Sequence, residues 1–289
     1  MLVLFTDTDT DITPEMAKEC GYHLISMPYS IDGDTVYPYE DFEKFEAHPF
    51  YQKLRDGALP TTSAISKERY KHYFEPYFAS GDDILYVHFS RAMSATFESM
   101  DAAVAELKAE YPDSNFYTID TKGITIISLN IVLAVADLYK AGKTADEILE
   151  WAKTEVDHYA VYFFADDLKF FKKSGRVSGL AGTMGTLLGI RPIIYMDSNG
   201  KMVSIGKEKG RTKAVSRLIS YVEELGDNIK DHRIIIAHTD APELLEELRA
   251  KLIEKFGEGL NIIAVDVNPT AGSHCGPNTL GVSFHAIHR

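Results

Sequence analysis

Apolar residues along the first half of the chain form short runs separated by longer segments of helical period. Strands are predicted at LVLF (2–5), ILYVHF (84–89) and NFYTI (115–119), and a strand and hairpin at 23–37, turning at Asp32-Gly33. Helices are predicted at about 13–20, 41–57 apart from Pro49, from 67, 94–110, 122–142 and 144–157. Strands that alternate with helices build parallel sheets covered on both faces. This half therefore predicts a mostly parallel three-layer α/β/α domain.

A second unit begins at YAVYFF (159–164), after a break in the pattern near 156–159. Its further strands are predicted at about 191–195, 201–206, 233–238, 261–267 and 280–287, and its helices near 167–173, 174–190, 212–225 and 242–256. The hairpin character of 190–206 favours a mixed sheet with helices on one side. We therefore expect an α/β protein of two domains, 1–157 and 158–289, the second a two-layer α/β domain.

Charge and composition exclude several classes of protein. The chain has 289 residues, and its 30 basic and 43 acidic side chains give a formal charge of −13, which argues against nucleic-acid and anionic-membrane partners. Cys20 and Cys275 lie in no CxxC motif. The N-terminus lacks the basic start of a signal peptide, and the most apolar stretch, 124–136, is too short to span a bilayer. A cytoplasmic protein without stable membrane insertion is expected.

Hydroxyl side chains are concentrated in PTTSAIS (60–66). Ser63 or Ser66 can cap the helix that begins near Lys67, since such side chains accept hydrogen bonds from free N–H groups at a helix start. The remaining hydroxyls, on Thr61 and Thr62, could instead donate to an anion. Both interpretations stay open on the sequence alone.

The loop after ILYVHF reads SRAMSATFES and places Ser90 at a strand end and Ser94 at a helix start. Ligand crevices in parallel sheets form at the carboxyl ends of strands, and helix N-termini attract anions. Ser94 is therefore either a helix cap or a ligand donor. The segment GSHCGPNTLG (272–281) predicts a loop that holds His274 as a structural residue or as a positioned donor.

Glycines recur at helical spacing in SGRVSGLAGTMGTLLGI (174–190). Gly179, Gly182, Gly185 and Gly189 would share one helix face, and each costs a helix about 1 kcal/mol relative to alanine. Close approach of the sheet or of a ligand would explain such a row. Arg176, just before it, is a candidate charge partner for an anion.

Six collinear segments resemble the DegV family of bacterial fatty-acid-binding proteins over nearly the whole chain. They are TDTDTD (6–11), TTSAIS (61–66), SRAMSATFESM (90–100), FFKKSGRVS (170–178), KEKGRTKA (207–214) and GSHCGPN (272–278). The resemblance implies a two-domain carrier, not an enzyme, with a long-chain fatty acid in a tunnel to which the C-terminal domain contributes. Thr62 and Ser94 would bind the carboxylate, with Thr61 and His274 nearby, and the helix carrying Gly179, Gly182 and Gly185 would line the tunnel.

The resemblance also implies a partner, a separate kinase that phosphorylates the bound fatty acid. Arg176, His274 and Lys209 or Arg211 would then lie where the kinase docks or the acyl phosphate forms. The chain lacks a P-loop and a dinucleotide glycine pattern, so we expect neither a metal nor a cofactor. It departs from the family pattern at Ala64, Ile65, Ala92, Ala95, Cys275 and Asn278, and Asp9 adds a carboxylate to the first loop.

Two enzymatic alternatives stay open. A serine hydrolase would use Ser94 or Ser90 with His274 and an acid such as Asp266, although the chain has no G-x-S-x-G motif. A magnesium-dependent phosphatase would use Asp7 as nucleophile and Asp9 nearby, with Ser90 and Asp166-Asp167 at other strand ends.

Overall fold

The computed structural model describes residues 1–178 and 189–289. The strands are β1 (Leu2–Asp7), β2 (Tyr22–Ile25), β3 (Tyr29–Ile31), β4 (Asp34–Val36), β5 (Thr61–Thr62), β6 (Asp83–His88), β7 (Phe116–Asp120), β8 (Tyr159–Phe164), β9 (Val177–Ser178), β10 (Ile190–Met196), β11 (Met202–Lys209), β12 (Arg233–His238), β13 (Asn261–Asp266) and β14 (Leu280–His285). The helices are α1 (Pro14–Cys20), α2 (Ala47–Arg55), α3 (Lys67–Ala79), α4 (Thr96–Glu110), α5 (Ile126–Lys140), α6 (Ala145–Glu155), α7 (Lys169–Ser174), α8 (Arg211–Leu225), α9 (Pro242–Phe256) and α10 (Pro269–Cys275).

The first sheet is fully parallel, with the strand order β2-β1-β6-β7. Successive residues of its strands enter different cores. Phe5 and Tyr86 pack against α3 and α4, whereas Leu4 and Leu85 pack on the side of α1 and α5. Because side chains alternate across a strand, this sheet lies between two helical layers. The predicted α/β/α arrangement of the first half is confirmed.

The second sheet is mixed, with the strand order β13-β12-β14-β8-β10-β11-β9. β8, β10, β12 and β14 pair antiparallel along its centre, and β12–β13 and β11–β9 are parallel pairs. α8 and α9 cover one face, where Phe164 and Phe284 are buried. The chain is therefore an α/β protein of two domains, one mostly parallel and one with a mixed sheet.

Helix α5 lies between the two sheets. Its residues Ile126, Ile127 and Leu129 join one apolar cluster with Leu4 of β1 and Ile235 of β12. A helix that is apolar all round is one that is buried all round. Burial of α5 between the sheets explains why the stretch 124–136 is so apolar. Within the described residues, no helix is long and apolar enough to cross a membrane.

The domain boundary at 157/158 stays a prediction. The strands of the parallel sheet end at Asp120 and those of the mixed sheet begin at Tyr159, with α5 and α6 between them. Since α5 contacts β8, β12 and β14 as well as α1, its packing belongs to both halves.

Two predicted helices are wrong in their bounds. The described ends of the predicted helix 174–190 are strands, since Val177–Ser178 forms β9 and Ile190 begins β10.

The other predicted helix is shorter than expected. The segment 41–57 predicts a helix, but α2 covers only Ala47–Arg55 and contains Pro49 in its first turn. Proline is tolerated there because the first N–H groups of a helix have no partner within it. Phe42 and Phe45 before the helix are instead arranged as a chain of aromatic contacts with Tyr39 and Phe50.

Candidate ligand-binding site

The hydroxyls of PTTSAIS are divided between two roles. Ser66 caps α3, because its Oγ accepts a hydrogen bond from the Arg69 N–H at 3.2 Å. Thr62 lies in β5, where it pairs with Tyr29 of β3, and its Oγ1 is 2.9 Å from His274 Nε2. The helix start therefore uses Ser66 and leaves Thr62 for another contact.

His274 lies in the last turn of helix α10, not in a loop as the glycines of its segment predict. The helix begins because Asn268 caps it, accepting the Ala271 N–H at 2.9 Å, and because Pro269 suits the first turn. It ends at Gly276, whose φ of +70° is left-handed. The glycines thus delimit the helix and allow close packing around it.

Ser94 lies between a 3₁₀ turn (Arg91–Met93) and α4. Its Oγ accepts the Thr96 N–H at 3.2 Å, so its own O–H can donate to a ligand. Ser90 is different, because it is buried and donates to the Gly200 carbonyl at 2.8 Å. Ser90 therefore joins the first half to the β10–β11 turn.

Thr62, Ser94, His274 and Arg176 line one polar cavity of about 150 Å³. The cavity brings together the hydroxyl segment, the start of α4 and the end of α10, which are far apart in sequence. Its other lining residues are Asp9, Met27, Ser63, Ala64, Phe89, Met93, Ala95, Ile124 and Thr270. Ser63, Ala64, Ala95 and Arg176 are exposed, so the cavity opens to the surface beside them.

His274 is neutral at pH 7. Burial, and then the nearby cations Arg176 and Lys173, lower the pKa of His274 to about 4. Lys173 also donates to the Pro60 carbonyl at 3.4 Å, which ties α7 to the hydroxyl segment. The cavity therefore combines neutral donors with a cation, Arg176, at its mouth.

Asp9 lines the polar cavity, a position that the sequence did not reveal. It is 6% exposed, and its Oδ1 has no hydrogen-bond partner among the described residues. Burial, and then the neighbouring Asp7 and Asp11, raise the pKa of Asp9 well above its usual value. This shift favours the neutral acid, which can donate a hydrogen bond. The only sequence signal was a carboxylate at a strand end.

Asp7 and Asp11 hold the surrounding backbone. Asp7 accepts hydrogen bonds from the Tyr86 hydroxyl at 3.0 Å and the Phe89 N–H at 3.2 Å. Asp11 Oδ1 accepts two from Asn268, at 2.9 Å from N and 2.7 Å from Nδ2. Burial raises the pKa of each carboxyl to about 7. Asp11 thereby fixes the start of α10, which carries His274.

An apolar cavity of about 50 Å³ adjoins the polar one. The two share Met93, Ile124 and His274. The remaining lining comes from α5, the mixed sheet, α10 and residues adjoining them: Thr125, Ile126, Val161, Phe163, Met196, Met202, Ala237, Val267, Ala271, Cys275, Thr279 and Gly281. No spacing in the sequence could join these residues, because they meet only where α5 packs on the mixed sheet.

The other predicted site residues lie outside the described lining of both cavities. Thr61 is exposed on β5, and Lys209 is exposed at the end of β11. Arg211 begins α8 and pairs with Asp166, its Nε 3.1 Å from Oδ2. Gly179, Gly182 and Gly185 lie outside the described residues.

The groups that the hydrolase alternative requires have other partners. His274 Nε2 contacts Thr62, and Asp266 lies 3.5 Å from His238 Nε2. Ser94 and His274 line the same cavity, but among the described residues no hydrogen bond joins them. The two groups are thus available to a common ligand rather than to each other.

Comparison with known proteins agrees with the resemblance in the sequence. A family model described as an uncharacterised protein of the DegV family matches residues 1–286. A DegV domain-containing protein of Clostridium perfringens is 34% identical over 283 residues, which cover 98% of this chain and 96% of the relative.

Solved structures share the fold over nearly the whole chain. A fatty-acid-binding DegV family protein from Thermus thermophilus has a TM-score of 0.86 at 22% identity, covering 99% of both chains. A stearic-acid-binding protein from Eubacterium ventriosum has a TM-score of 0.85 at 20% identity, covering 98% of this chain and 97% of that one. The match to the family model and the 34% identity to the Clostridium relative show that the chain belongs to the DegV family.

Proposed function

We propose that the protein is a carrier that binds one long-chain fatty acid, with the carboxylate in the polar cavity and the acyl chain in the apolar one. The observation that carries this proposal is that the two cavities are adjacent and share the lining residues Met93, Ile124 and His274. An amphipathic ligand with a small anionic head and a long apolar tail matches a polar cavity that adjoins an apolar one. The fatty acids named for the Thermus and Eubacterium structures support the same ligand class.

The head group would be bound by neutral donors and one cation. Ser94 has a hydroxyl proton to donate, and His274 can donate from Nε2 to Thr62 Oγ1, which frees the Thr62 hydroxyl for the ligand. Arg176 supplies positive charge at the cavity mouth. A buried carboxylate without such partners would cost several kcal/mol, so these groups are needed for binding.

The tail would supply most of the binding free energy. Burying one methylene gains about 0.8 kcal/mol, so about 14 methylenes gain about 11 kcal/mol before the costs of association. The apolar lining includes Met93, Met196 and Met202, whose flexible side chains can adapt to the shape of the tail.

The first test is to extract the purified protein with organic solvent and identify its lipid by mass spectrometry. We expect about one long-chain fatty acid per chain, and delipidated protein should bind an added fatty acid with the same stoichiometry. Finding no fatty acid in the extract and no binding of added fatty acids would refute the proposal.

Head-group variants then test the site. Thr62→Val and Ser94→Ala should each weaken fatty-acid binding by about 13- to 160-fold, the range for one hydrogen bond to a charged group. The matched control Thr61→Val, at the exposed neighbouring residue, should reduce fatty-acid affinity much less. Equal affinities for all four proteins, measured by calorimetry, would exclude these hydroxyls as ligands.

We further propose that the carrier presents the bound carboxylate to a separate kinase. The cavity mouth at Ser63, Ala95 and Arg176 is exposed, so a phosphoryl donor could reach the head group. Lys209 and Arg211 would contact the kinase rather than the fatty acid, since neither is among the described lining residues.

The test is acyl-phosphate formation from ATP by a fatty acid kinase supplied with the loaded protein. Lys209→Glu should raise the KM for the carrier and leave fatty-acid affinity unchanged. If the protein binds fatty acid normally but the bound fatty acid is not phosphorylated, the kinase proposal is overturned. The carrier function would then still stand.

A further inference from the structure

Thr96 links two segments that carry proposed head-group ligands. It is the first residue of α4 and is 1% exposed. Its Oγ1 accepts a hydrogen bond from the Ile65 N–H at 3.2 Å, and its own N–H donates to Ser94 Oγ at 3.2 Å. Ile65 follows closely after Thr62 in the hydroxyl segment (60–66). One buried residue therefore contacts both the hydroxyl segment and the loop that carries Ser94.

The N–H group of Ile65 needs this partner. Strand β5 ends at Thr62 and helix α3 begins at Lys67, so Ile65 lies in the irregular stretch between them. Ile65 is 2% exposed, and buried backbone N–H groups are nearly always hydrogen-bonded. Outside regular structure, a side chain can serve as the acceptor, and here the Thr96 hydroxyl does so. It thereby determines how the end of the hydroxyl segment packs against α4.

Tyr70 of α3 holds the Thr96 hydroxyl in place. Its hydroxyl oxygen is 3.2 Å from Thr96 Oγ1, and the Tyr70 side chain is completely buried. A threonine hydroxyl has one proton and two acceptor sites, so Thr96 can accept from Ile65 and hydrogen-bond Tyr70 at the same time. The two contacts together fix the rotation of the Thr96 side chain.

The buried contacts continue to the loop of Asp9. The Tyr86 hydroxyl interacts with that of Tyr70 and donates to Asp7 Oδ2 at 3.0 Å. Asp7 Oδ1 accepts the Asp9 N–H at 3.1 Å. Tyr86 and Asp7 are both completely buried, and hydrogen bonds are stronger where water is excluded. Three of the segments that line the polar cavity are therefore joined to one another by buried groups.

Thr96 and Tyr70 act at a distance from the proposed ligand. Neither is among the described residues that line the polar cavity, whereas Thr62 and Ser94 are. The start of α4 does not account for the Thr96 hydroxyl either, because this group bonds Ile65 and Tyr70 of other segments. Its contacts are those of a group that holds ligand-bearing segments together.

We propose that Thr96 is a positioning residue that fixes the distance between the Thr62 and Ser94 hydroxyls, so that both donate to the same carboxylate. This role rests on the proposed fatty-acid function. Two donors on separate segments bind one small anion well only if their positions are set beforehand, because ordering them during binding costs free energy. Tyr70 supports the role by holding the Thr96 hydroxyl.

The test compares the binding of palmitate with that of hexadecanol, which has the same number of carbon atoms and no carboxylate. Calorimetry measures both affinities for delipidated wild type, Thr96→Val and Thr96→Ser. Valine has the shape of threonine without the hydroxyl, so Thr96→Val should weaken palmitate binding at least about fivefold more than hexadecanol binding. Thr96→Ser keeps the hydroxyl, so the ratio of its two affinities should stay within about twofold of the wild-type ratio.

Two further variants complete the experiment. Tyr70→Phe should lower the ratio of palmitate to hexadecanol affinity less than Thr96→Val does, because the bond between Ile65 and Thr96 remains. Thr118→Val removes an exposed threonine hydroxyl on β7 and is the matched control, which should bind both compounds as wild type does. Circular dichroism reports whether each variant is folded, and Tyr70→Phe decides alone if Thr96→Val is not.

A folded Thr96→Val with the wild-type ratio of affinities overturns the proposal. Equal losses for palmitate and hexadecanol are such a result, because Thr96 would then only stabilise the fold. An unchanged ratio in Tyr70→Phe overturns the proposal if Thr96→Val does not fold. If wild type itself binds no palmitate, the carrier function fails and the positioning role fails with it, so the two failures are distinguishable.

Discussion

Asp9 places a carboxyl side chain in the cavity that we propose binds the carboxylate of a fatty acid. In its neutral form it can donate to a ligand carboxylate, and in its ionised form it repels one. The charged and titratable groups around it are Asp7, Asp11, His274, Cys275 and Arg176. Because burial raises the pKa of Asp9 well above its usual value, the neutral form persists at pH values where an exposed aspartate is ionised.

Fatty-acid affinity should therefore fall as pH rises through the pKa of Asp9. Above that pKa the fall should approach about tenfold per pH unit, the limit for one linked proton. Asp9→Asn keeps a donor and cannot ionise, so its affinity should change much less over the same range. Calorimetric titrations with fatty acid at several pH values will measure the affinities of wild type and Asp9→Asn. If the affinities of the two proteins depend on pH in the same way, the proposed role of Asp9 is contradicted.

Asp11 gives a prediction about stability. Burial raises the pKa of Asp11 from 3.8 to about 7, so the folded protein retains this proton more tightly than the unfolded chain. The stability from the neutral form is complete below about pH 4 and is lost as pH rises through about 7. Asp11→Asn keeps an oxygen for both Asn268 donors and removes this loss.

The free energy of unfolding should therefore fall less in Asp11→Asn than in wild type between about pH 4 and pH 7, by up to a few kcal/mol. Urea unfolding at several pH values measures the difference. A parallel decline in the two proteins would show that Asp11 does not carry the pH dependence.

At the scale of elements, α10 is placed by close contacts at its glycines. A Cβ on Gly272 would lie 2.3 Å from the Tyr51 hydroxyl oxygen, and one on Gly276 would lie 2.1 Å from a ring carbon of Phe170. Tyr51 also donates to the Val267 carbonyl at 2.8 Å, just before the helix. α2 and α7 therefore determine where His274 lies.

Gly272→Ala should destabilise the protein by about 1–3 kcal/mol through overpacking. In a Tyr51→Phe background the nearest remaining ring atoms are 3.0 and 3.1 Å from the added Cβ, so the same substitution should cost less. A double-mutant cycle by urea unfolding measures this coupling. An identical cost in both backgrounds would exclude the hydroxyl contact as the cause.

At the scale of the whole molecule, α5 makes the two predicted domains dependent on each other. Asn130 of α5 reaches across to the mixed sheet, its Nδ2 3.3 Å from the Arg233 carbonyl. The residues of the mixed sheet beneath α5, among them Val161 and Ile235, belong to the same core as Leu4 of the parallel sheet. Separation of the halves would expose this core to water.

We expect the fragments 1–157 and 158–289, produced separately, to bind the dye ANS strongly and to unfold at lower denaturant than the full chain. Mixed together, they should lose ANS binding and regain fatty-acid binding. If each fragment is as stable as the full chain and binds no dye, α5 belongs to one domain alone.

Much of the fold followed from local sequence patterns. Strands such as β8 and β12 and helix α9 lie where the apolar period predicts them, because a strand or helix must bury one face. Prediction failed where local signals were ambiguous. Glycines around His274 predicted a loop, yet they allow α10 to pack against Tyr51 and Phe170. Similarly, the sequence suggested a catalytic role for Asp9, because the residues adjacent to it do not reveal that its side chain is buried.

The sequence alone determined the alternation of elements, the family and the polar residues Thr62, Ser94 and His274 as candidates, since these depend on local patterns and motifs. Only the tertiary structure decided that these three share a cavity with Asp9, that an apolar cavity adjoins it, and that Thr96 joins the segments of Thr62 and Ser94. The physical reason is that such sites are made by contacts between elements distant in sequence. The geometry of the cavities arises when α5 packs on the mixed sheet and α10 packs against α2, α7 and β5.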